Sequence, residues 1–388
     1  MGRSLTEKIQ QARFLQKRNL LWRVLARPRS RRIGGTLFRQ ERAGRVLSWV
    51  PWERLIAFPP SVAAELTTKC NLRCPMCPQR SEILDHGFMA EDLFRKIVDE
   101  VILHKGVFLV LGGRGESMVH PRWEEYVAYA KRAGVAPMWI LTNGTLLDHE
   151  RASLLVDLGV EEIAVTIDGA TKETYEAMRV GARYDRVLEN MHRLIELRRS
   201  RGNGRPRILM RMIQTAQNEH EVGAFRTYWQ EHLEDHDGIK ITGLISWVPM
   251  DEAESILSQA EATGYQAIRH QPTLMAPCIP IWKFLKVRYD GSVYVCCTHD
   301  LGTSLVTNNA YRDSIQDVWM SPALKEARRL HLRRRKLDIA TCRRCMVLAH
   351  AATIRQKETD ERARQAAEES ARQATCQHAE FADRGRMA

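Results

Sequence analysis

Cys70-Asn71-Leu72-Arg73-Cys74-Pro75-Met76-Cys77-Pro78 is the segment on which the reading of the chain turns. Three cysteines stand at gaps of three and two residues, directly after a short β-strand candidate at Ser61–Thr67. Thiolates so close in sequence can wrap one compact centre on a short loop. A structural zinc site takes four protein ligands, and a [4Fe–4S] cluster ordinarily takes four cysteines. Here the next cysteine, Cys278, lies about 200 residues further on. Three thiolates on a cubane leave one iron without a protein ligand. Such a site can accept a chelating small molecule, as the open position of a catalytic metal does.

Outward from this loop the chain alternates. Strand patterns at Ser61–Thr67, Val107–Leu111, Met138–Leu141, Glu162–Ile167, Ile208–Ile213 and Ile239–Ile245 are separated by helical patterns. The helices are expected at Glu91–His104, Trp123–Arg132, Leu147–Leu158, Lys172–Arg199 (one long helix) and Glu219–Leu233. Six strands alternating with helices predict an α/β fold with a parallel sheet. Six is short of the eight strands of a closed barrel. The expectation is therefore an open, partial (β/α)6 TIM-like barrel with its chemistry at the C-terminal strand ends.

With strand and loop in place, the chain resembles the radical S-adenosylmethionine superfamily, whose signature is CxxxCxxC after the first strand of a partial barrel. The resemblance covers roughly residues 61–350. It implies that Cys70, Cys74 and Cys77 hold a [4Fe–4S] cluster and that the amino and carboxylate groups of S-adenosylmethionine chelate the fourth iron. An electron from the cluster then splits the sulfonium, and the 5′-deoxyadenosyl radical takes hydrogen from substrate. Gly112-Gly113-Arg114-Gly115-Glu116-Ser117 resembles the family's Gly-Gly-Glu-Pro segment, with Ser117 in place of Pro, and so assigns Gly115 and Glu116 to cofactor binding. Asn143, in Thr142-Asn143-Gly144 after the third strand, is a familiar turn residue of the family. Thr166 and Asp168, in Val165-Thr166-Ile167-Asp168-Gly169, resemble the ribose-binding strand, with Thr where Ser is usual. Arg179 resembles the arginine that pairs the methionyl carboxylate.

A second cysteine set follows. Val287–Val295 reads as two alternating β segments around Asp290-Gly291, a hairpin signal with an expected type I′ turn. Helical patterns at Ser314–Trp319 and Ser321–Arg334 come next, before Cys342-Arg-Arg-Cys345. Cys278, Cys296, Cys342 and Cys345 resemble the ligands of the C-terminal SPASM/twitch domains of the same superfamily. Ala351 stands where a full SPASM domain would continue with cysteine, so the resemblance implies the shorter twitch form, a small α+β domain with one four-cysteine auxiliary [4Fe–4S] cluster. By spacing alone a four-thiolate zinc site is equivalent. Cys297 neighbours Cys296 on a strand and faces the other way. Cys297, His299 and Asp300 are the candidates for redox or proton-acceptor roles. The expected organisation is a basic N-terminal arm at 1–60, a radical core at 61–250, the auxiliary domain at 270–350 and a polar tail at 351–388.

Composition supports this reading and excludes others. The chain has 388 residues, 44% of them hydrophobic and 27% charged, which is ordinary globular composition. No apolar run approaches the length of a membrane helix. The formal net charge of +12 is concentrated in residues 1–54, where fourteen Lys or Arg face three acids. The remainder is close to neutral, so no nucleic-acid partner is expected. Nine cysteines in tight clusters read as metal ligation in a reducing compartment, hence the cytoplasm, rather than as disulfides.

A closed second cluster suits electron transfer. The cysteine pattern resembles the twitch-containing dehydrogenases of aminocyclitol alcohols in aminoglycoside biosynthesis. That resemblance implies two-electron oxidation of a secondary alcohol on a sugar or aminocyclitol, with a flavodoxin or ferredoxin as electron donor. The competing readings are maturation of a ribosomally made peptide and a non-enzymatic two-cluster electron carrier.

Overall fold

The computed structural model describes residues 56–77, 86–243, 277–295 and 308–343. The basic arm up to residue 55, the polar tail, Cys296, Cys297, His299, Asp300 and Cys345 lie outside the described residues.

The six expected strands form: β1 (Ser61–Ala64), β2 (Phe108–Leu111), β3 (Met138–Thr142), β4 (Glu162–Thr166), β5 (Arg207–Gln214) and β6 (Gly238–Gly243). They pair in parallel, each with its sequence neighbour. The intervening helices are α1 (Glu91–Ile102), α2 (Trp123–Arg132), α3 (His149–Asp157), α4 (Lys172–Met178), α5 (Tyr184–Arg201) and α6 (Val222–His232). Their ends are marked locally. Asp148 accepts a hydrogen bond from the Arg151 N–H at the start of α3, and Gly202, at φ 64°, closes α5 in the left-handed region.

The sheet is an open, partial barrel, but it has eight strands. β7 (Phe284–Val287) and β8 (Val293–Tyr294) extend it in the order β6-β5-β4-β3-β2-β1-β7-β8. β7 lies parallel to β1, with Ser61 opposite Phe284 and Ala64 opposite Val287, and β8 is antiparallel to β7. The expected hairpin therefore belongs to the sheet of the core. Helices α7 (Ile315–Trp319), α8 (Pro322–Leu332) and α9 (Ala340–Arg343) follow. Ser321 caps α8 ahead of Pro322, its hydroxyl accepting from the Leu324 N–H.

Two local expectations are corrected. The single helix over Lys172–Arg199 is broken between Met178 and Tyr184, where Gly181 adopts φ 97°. That break receives the first cysteine loop: the Arg73 N–H donates to the Val180 carbonyl at 2.8 Å. The hairpin turn is not type I′, because Arg334 is the one non-glycine residue with positive φ among the described residues. Gly291 N–H donates to the Arg288 carbonyl and Arg288 N–H to the Ser292 carbonyl. This is a turn over Tyr289-Asp290 with a left-handed bulge at Gly291 (φ 79°). The Asp290 carboxylate accepts from the Ser292 N–H and hydroxyl, a side-chain turn that braces the corner.

One hydrophobic core runs between sheet and helices. Trp123, Trp229, Trp282 and Trp319 are all fully buried, and truncating such a side chain costs about 3–5 kcal/mol. Along β5, Ile208, Met210 and Met212 are buried against the helices, while Leu209, Arg211 and Ile213 are half-buried on the inner face. Alternation along each strand thus sorts core from barrel lumen.

Candidate active site and auxiliary centre

The cysteine loop leaves the C-terminal end of β1 and is clamped from three sides. Below it, Gly115 lies so close that a Cβ there would stand 2.4 Å from the Lys69 carbonyl oxygen and 2.5 Å from that of Thr67. Only glycine permits this approach. The Glu116 N–H donates to the Lys69 carbonyl at 2.9 Å. Beside the loop, Asn143 Nδ2 donates to Asn71 Oδ1 at 3.0 Å, and Asn71 Nδ2 donates to the Thr145 hydroxyl at 2.7 Å. On the third side is the α4–α5 break.

Each residue singled out from the sequence has a definite place. Asn143 Nδ2 stands 4.0 Å from Cys70 Sγ. Arg179 Nη1 stands 3.8 Å from Cys74 Sγ. Arg179 is held there by Asp168, which accepts from its Nε at 2.7 Å and pairs Nη2 at 2.5 Å. Asp168 is fully buried and also accepts from the Ile213 N–H. It acts on the arginine rather than facing the lumen alone. Burial opposes the charge on Arg179, but Asp168, Cys74 and Tyr175 together outweigh it and raise the guanidinium above its ordinary value. Glu116 turns its carboxylate inward, accepting from the Asn143 N–H at 2.7 Å and the Met118 N–H at 3.1 Å. Burial pushes its pKa up. It braces the β2 and β3 ends against each other. The half-buried Thr166 has no hydrogen bond to its hydroxyl among the described residues.

The donor set suits a thiolate-bound cluster. Burial, reinforced by Glu116 and the neighbouring thiols, pushes Cys70 up to about 11, so a metal must displace the proton. Two N–H donors then point at sulfurs, as the surroundings of iron–sulfur thiolates require. Among the described residues the fully buried Tyr175 phenol has no hydrogen-bond partner, and it lies where Arg179, Asp168 and Cys74 all act on it. Among the described residues, no three His, Cys, Asp or Glu side chains converge on a single metal ion. A cubane places its three thiolates on separate irons, so it needs no such convergence.

In the second set, Cys278 and Cys342 meet at one residue that the sequence reading missed. The fully buried His331 accepts from the Cys278 N–H at Nδ1 (3.1 Å), and its Nε2 stands 3.4 Å from Cys342 Sγ. Another missed group joins the two halves. Glu65, fully buried after β1, lies between Arg114 and Arg288, each 3.4 Å from Oε1. A charged residue at an inner-face position of a strand end was the available signal for it.

Known families agree with this architecture. Residues 64–225 match the model of the radical SAM superfamily, and residues 278–346 match that of the SPASM iron–sulfur cluster-binding domain. The chain belongs to the radical SAM superfamily and carries a SPASM-type domain at the C-terminal side of its core. Its cofactors are S-adenosylmethionine and the iron–sulfur clusters of these two regions. It is 32% identical over 166 residues to a tungsten-containing aldehyde ferredoxin oxidoreductase cofactor-modifying protein of Pyrococcus furiosus, 42% of this chain and 46% of that protein. It is 32% identical over 143 residues to the mycofactocin maturase MftC of Mycobacterium tuberculosis, 36% of each chain. These alignments span less than half of the relatives' own lengths. Streptococcus suis SuiB, solved with its precursor peptide SuiA, shares the fold at a TM-score of 0.53 and 13% identity, over 70% of this chain and 67% of that one. Among the described residues, no helix is long and apolar enough to cross a membrane.

Proposed function

We propose that this chain is a radical SAM oxidoreductase that removes a hydrogen atom from a carbinol carbon of a sugar or aminocyclitol and passes the second electron to an auxiliary cluster. The observation that carries this reading is the parallel pairing of β7 with β1. It sets the strand that follows Cys278 beside the strand leading into Cys70–Cys77. When bound, the first cluster and S-adenosylmethionine supply a 5′-deoxyadenosyl radical. Cys70, Cys74 and Cys77 would hold the cluster, with the Asn143 amide and Arg179 close to their sulfurs. Arg179, oriented by Asp168, would pair the methionyl carboxylate. Thr166 offers its hydroxyl toward the ribose, and the backbone around Gly115 closes the floor.

The balance is simple. Oxidation of the carbinol to a ketone would remove a hydrogen atom, a proton and an electron, the electron going to the acceptor that the second cysteine set would hold. His299, Asp300 and Cys297 are the candidate bases or redox partners. Cys278, Cys296, Cys342 and Cys345 would hold the electron acceptor. A flavodoxin or ferredoxin in a reducing cytoplasm would supply the initial electron.

A second reading, peptide maturation, is favoured by the named relatives, one of which is a maturase. Assay of anaerobically reconstituted enzyme separates the readings. Cys74→Ala should abolish 5′-deoxyadenosine formation, whereas Cys345→Ala should retain it and lose product. Deuterium moving into 5′-deoxyadenosine from a carbinol-labelled sugar supports the alcohol reading. Transfer only from a labelled peptide would replace it, and no 5′-deoxyadenosine at all would leave an electron carrier.

A further inference from the structure

We infer that the inner wall formed by β5 and β6 is an anion subsite, and that the substrate carries a phosphate or carboxylate. This deepens the proposed function and rests on it for the word substrate.

Arg211 and Lys240 are register partners on adjacent parallel strands, so their side chains leave the same face of the sheet. On β5 that face is the lumen, because Met210 and Met212 fill the opposite one. On the other side of Arg211, its register partner on β4 is Thr166. The pair thus stands next to the strand proposed to meet the ribose.

Neither cation has a carboxylate ion pair among the described residues. The nearby acids are engaged elsewhere: Asp168 with Arg179, Glu162 with Arg207 at 2.5 Å, and Glu65 with Arg114 and Arg288. Two like charges side by side repel. Burial lowers the pKa of Arg211, with Asp168 opposing and the nearby Arg179 adding to the fall. Burial of its stem, then Arg211, lowers that of the solvent-exposed Lys240, with Glu162 opposing and Lys283 adding a weaker positive field. A fold that retains this repulsion has a site that an anion neutralises. A guanidinium can grip phosphate or carboxylate through two parallel N–H bonds, with the ammonium as a point charge beside it. A substrate amine at this wall would meet repulsion, so within the proposed class an acidic sugar fits and a cationic aminocyclitol does not.

The test is thermal unfolding of the reconstituted holoenzyme with S-adenosylmethionine present, so that its own carboxylate is already accommodated. Sodium phosphate and sodium malonate are each compared with sodium chloride at matched ionic strength. Binding to the native state raises the midpoint. We expect one anion to raise it beyond the chloride control, phosphate indicating a phosphorylated substrate and malonate a carboxylate-bearing one. Lys240→Gln should weaken the apparent affinity about tenfold or more, and Arg211→Gln/Lys240→Gln should abolish the effect. Should the double variant fail to fold, Lys240→Gln alone decides. No anion-specific shift in the wild type, or an equal shift in the variants, overturns the inference. 5′-Deoxyadenosine formation by the wild type is scored separately, so failure of the reaction reading is told apart from failure of the anion subsite.

Discussion

His331 Nε2 lies 3.4 Å from Cys342 Sγ while Nδ1 of the same ring accepts the Cys278 N–H. Because Nδ1 is the acceptor, the neutral ring carries its proton on Nε2 and donates it to sulfur. Burial, with help from Lys336, lowers the imidazole pKa to about 3, which keeps the ring neutral. A hydrogen bond to thiolate sulfur stabilises the more negative, reduced cluster. His331→Leu is expected to lower the midpoint potential of the auxiliary cluster, read by redox titration followed by electron paramagnetic resonance. An unchanged potential would place the donor elsewhere.

Gly115 is the point where the β2 end touches the cysteine loop. Gly115→Ala should drive a methyl group into the Lys69 and Thr67 carbonyls. Such overpacking costs about 1–3 kcal/mol, and here the atoms that must yield are backbone. The expected result is a lower urea midpoint and fewer irons per chain after reconstitution. Wild-type iron content would show that the loop relaxes freely.

Asp168 makes no claim on a ligand once its two oxygens are used by Arg179 and the Ile213 N–H. Its contribution is orientation. Asp168→Asn keeps the shape but removes the charge that holds the guanidinium. We expect S-adenosylmethionine to bind about tenfold more weakly, as loss of one charge-assisted contact implies, while bound iron is retained. Equilibrium binding with labelled cofactor measures the first and iron analysis the second.

His104 stacks on Phe58 with ring centroids 3.8 Å apart, and burial lowers its pKa to about 4. The unfolded chain takes up this proton near the ordinary value of about 6.5. The folded state resists until about pH 4. The contribution to stability is therefore complete above about pH 6.5 and is lost as pH falls toward 4, by at most about 1.4 kcal/mol per unit. Urea unfolding of wild type and His104→Gln at pH 7 and pH 5 should show a smaller acid loss in the variant.

The alternation of β5, with Met210 and Met212 on one side and Arg211 on the other, could be read directly from the sequence, as could each of the six parallel strands. The cysteine loop was legible for the same reason, since its chemistry is local. What escaped were pairings between distant segments. Nothing in the sequence around Ser61 announces Phe284 as its neighbour. Likewise His331, in an ordinary amphipathic helix, carries no local sign of the two cysteines it touches. The break at Gly181 was hidden by continuous helical periodicity on both sides, and the Asp290-Gly291 turn by a dipeptide that serves two turn types.

The pairing of β1 with β7 has a kinetic corollary. A strand near the start of the sheet gains its second neighbour only after nearly three quarters of the polypeptide has left the ribosome. Until then β1 presents a bare edge, open to mispairing with other chains. The auxiliary region is thus no detachable accessory: it closes the sheet in which the first iron centre is to be assembled.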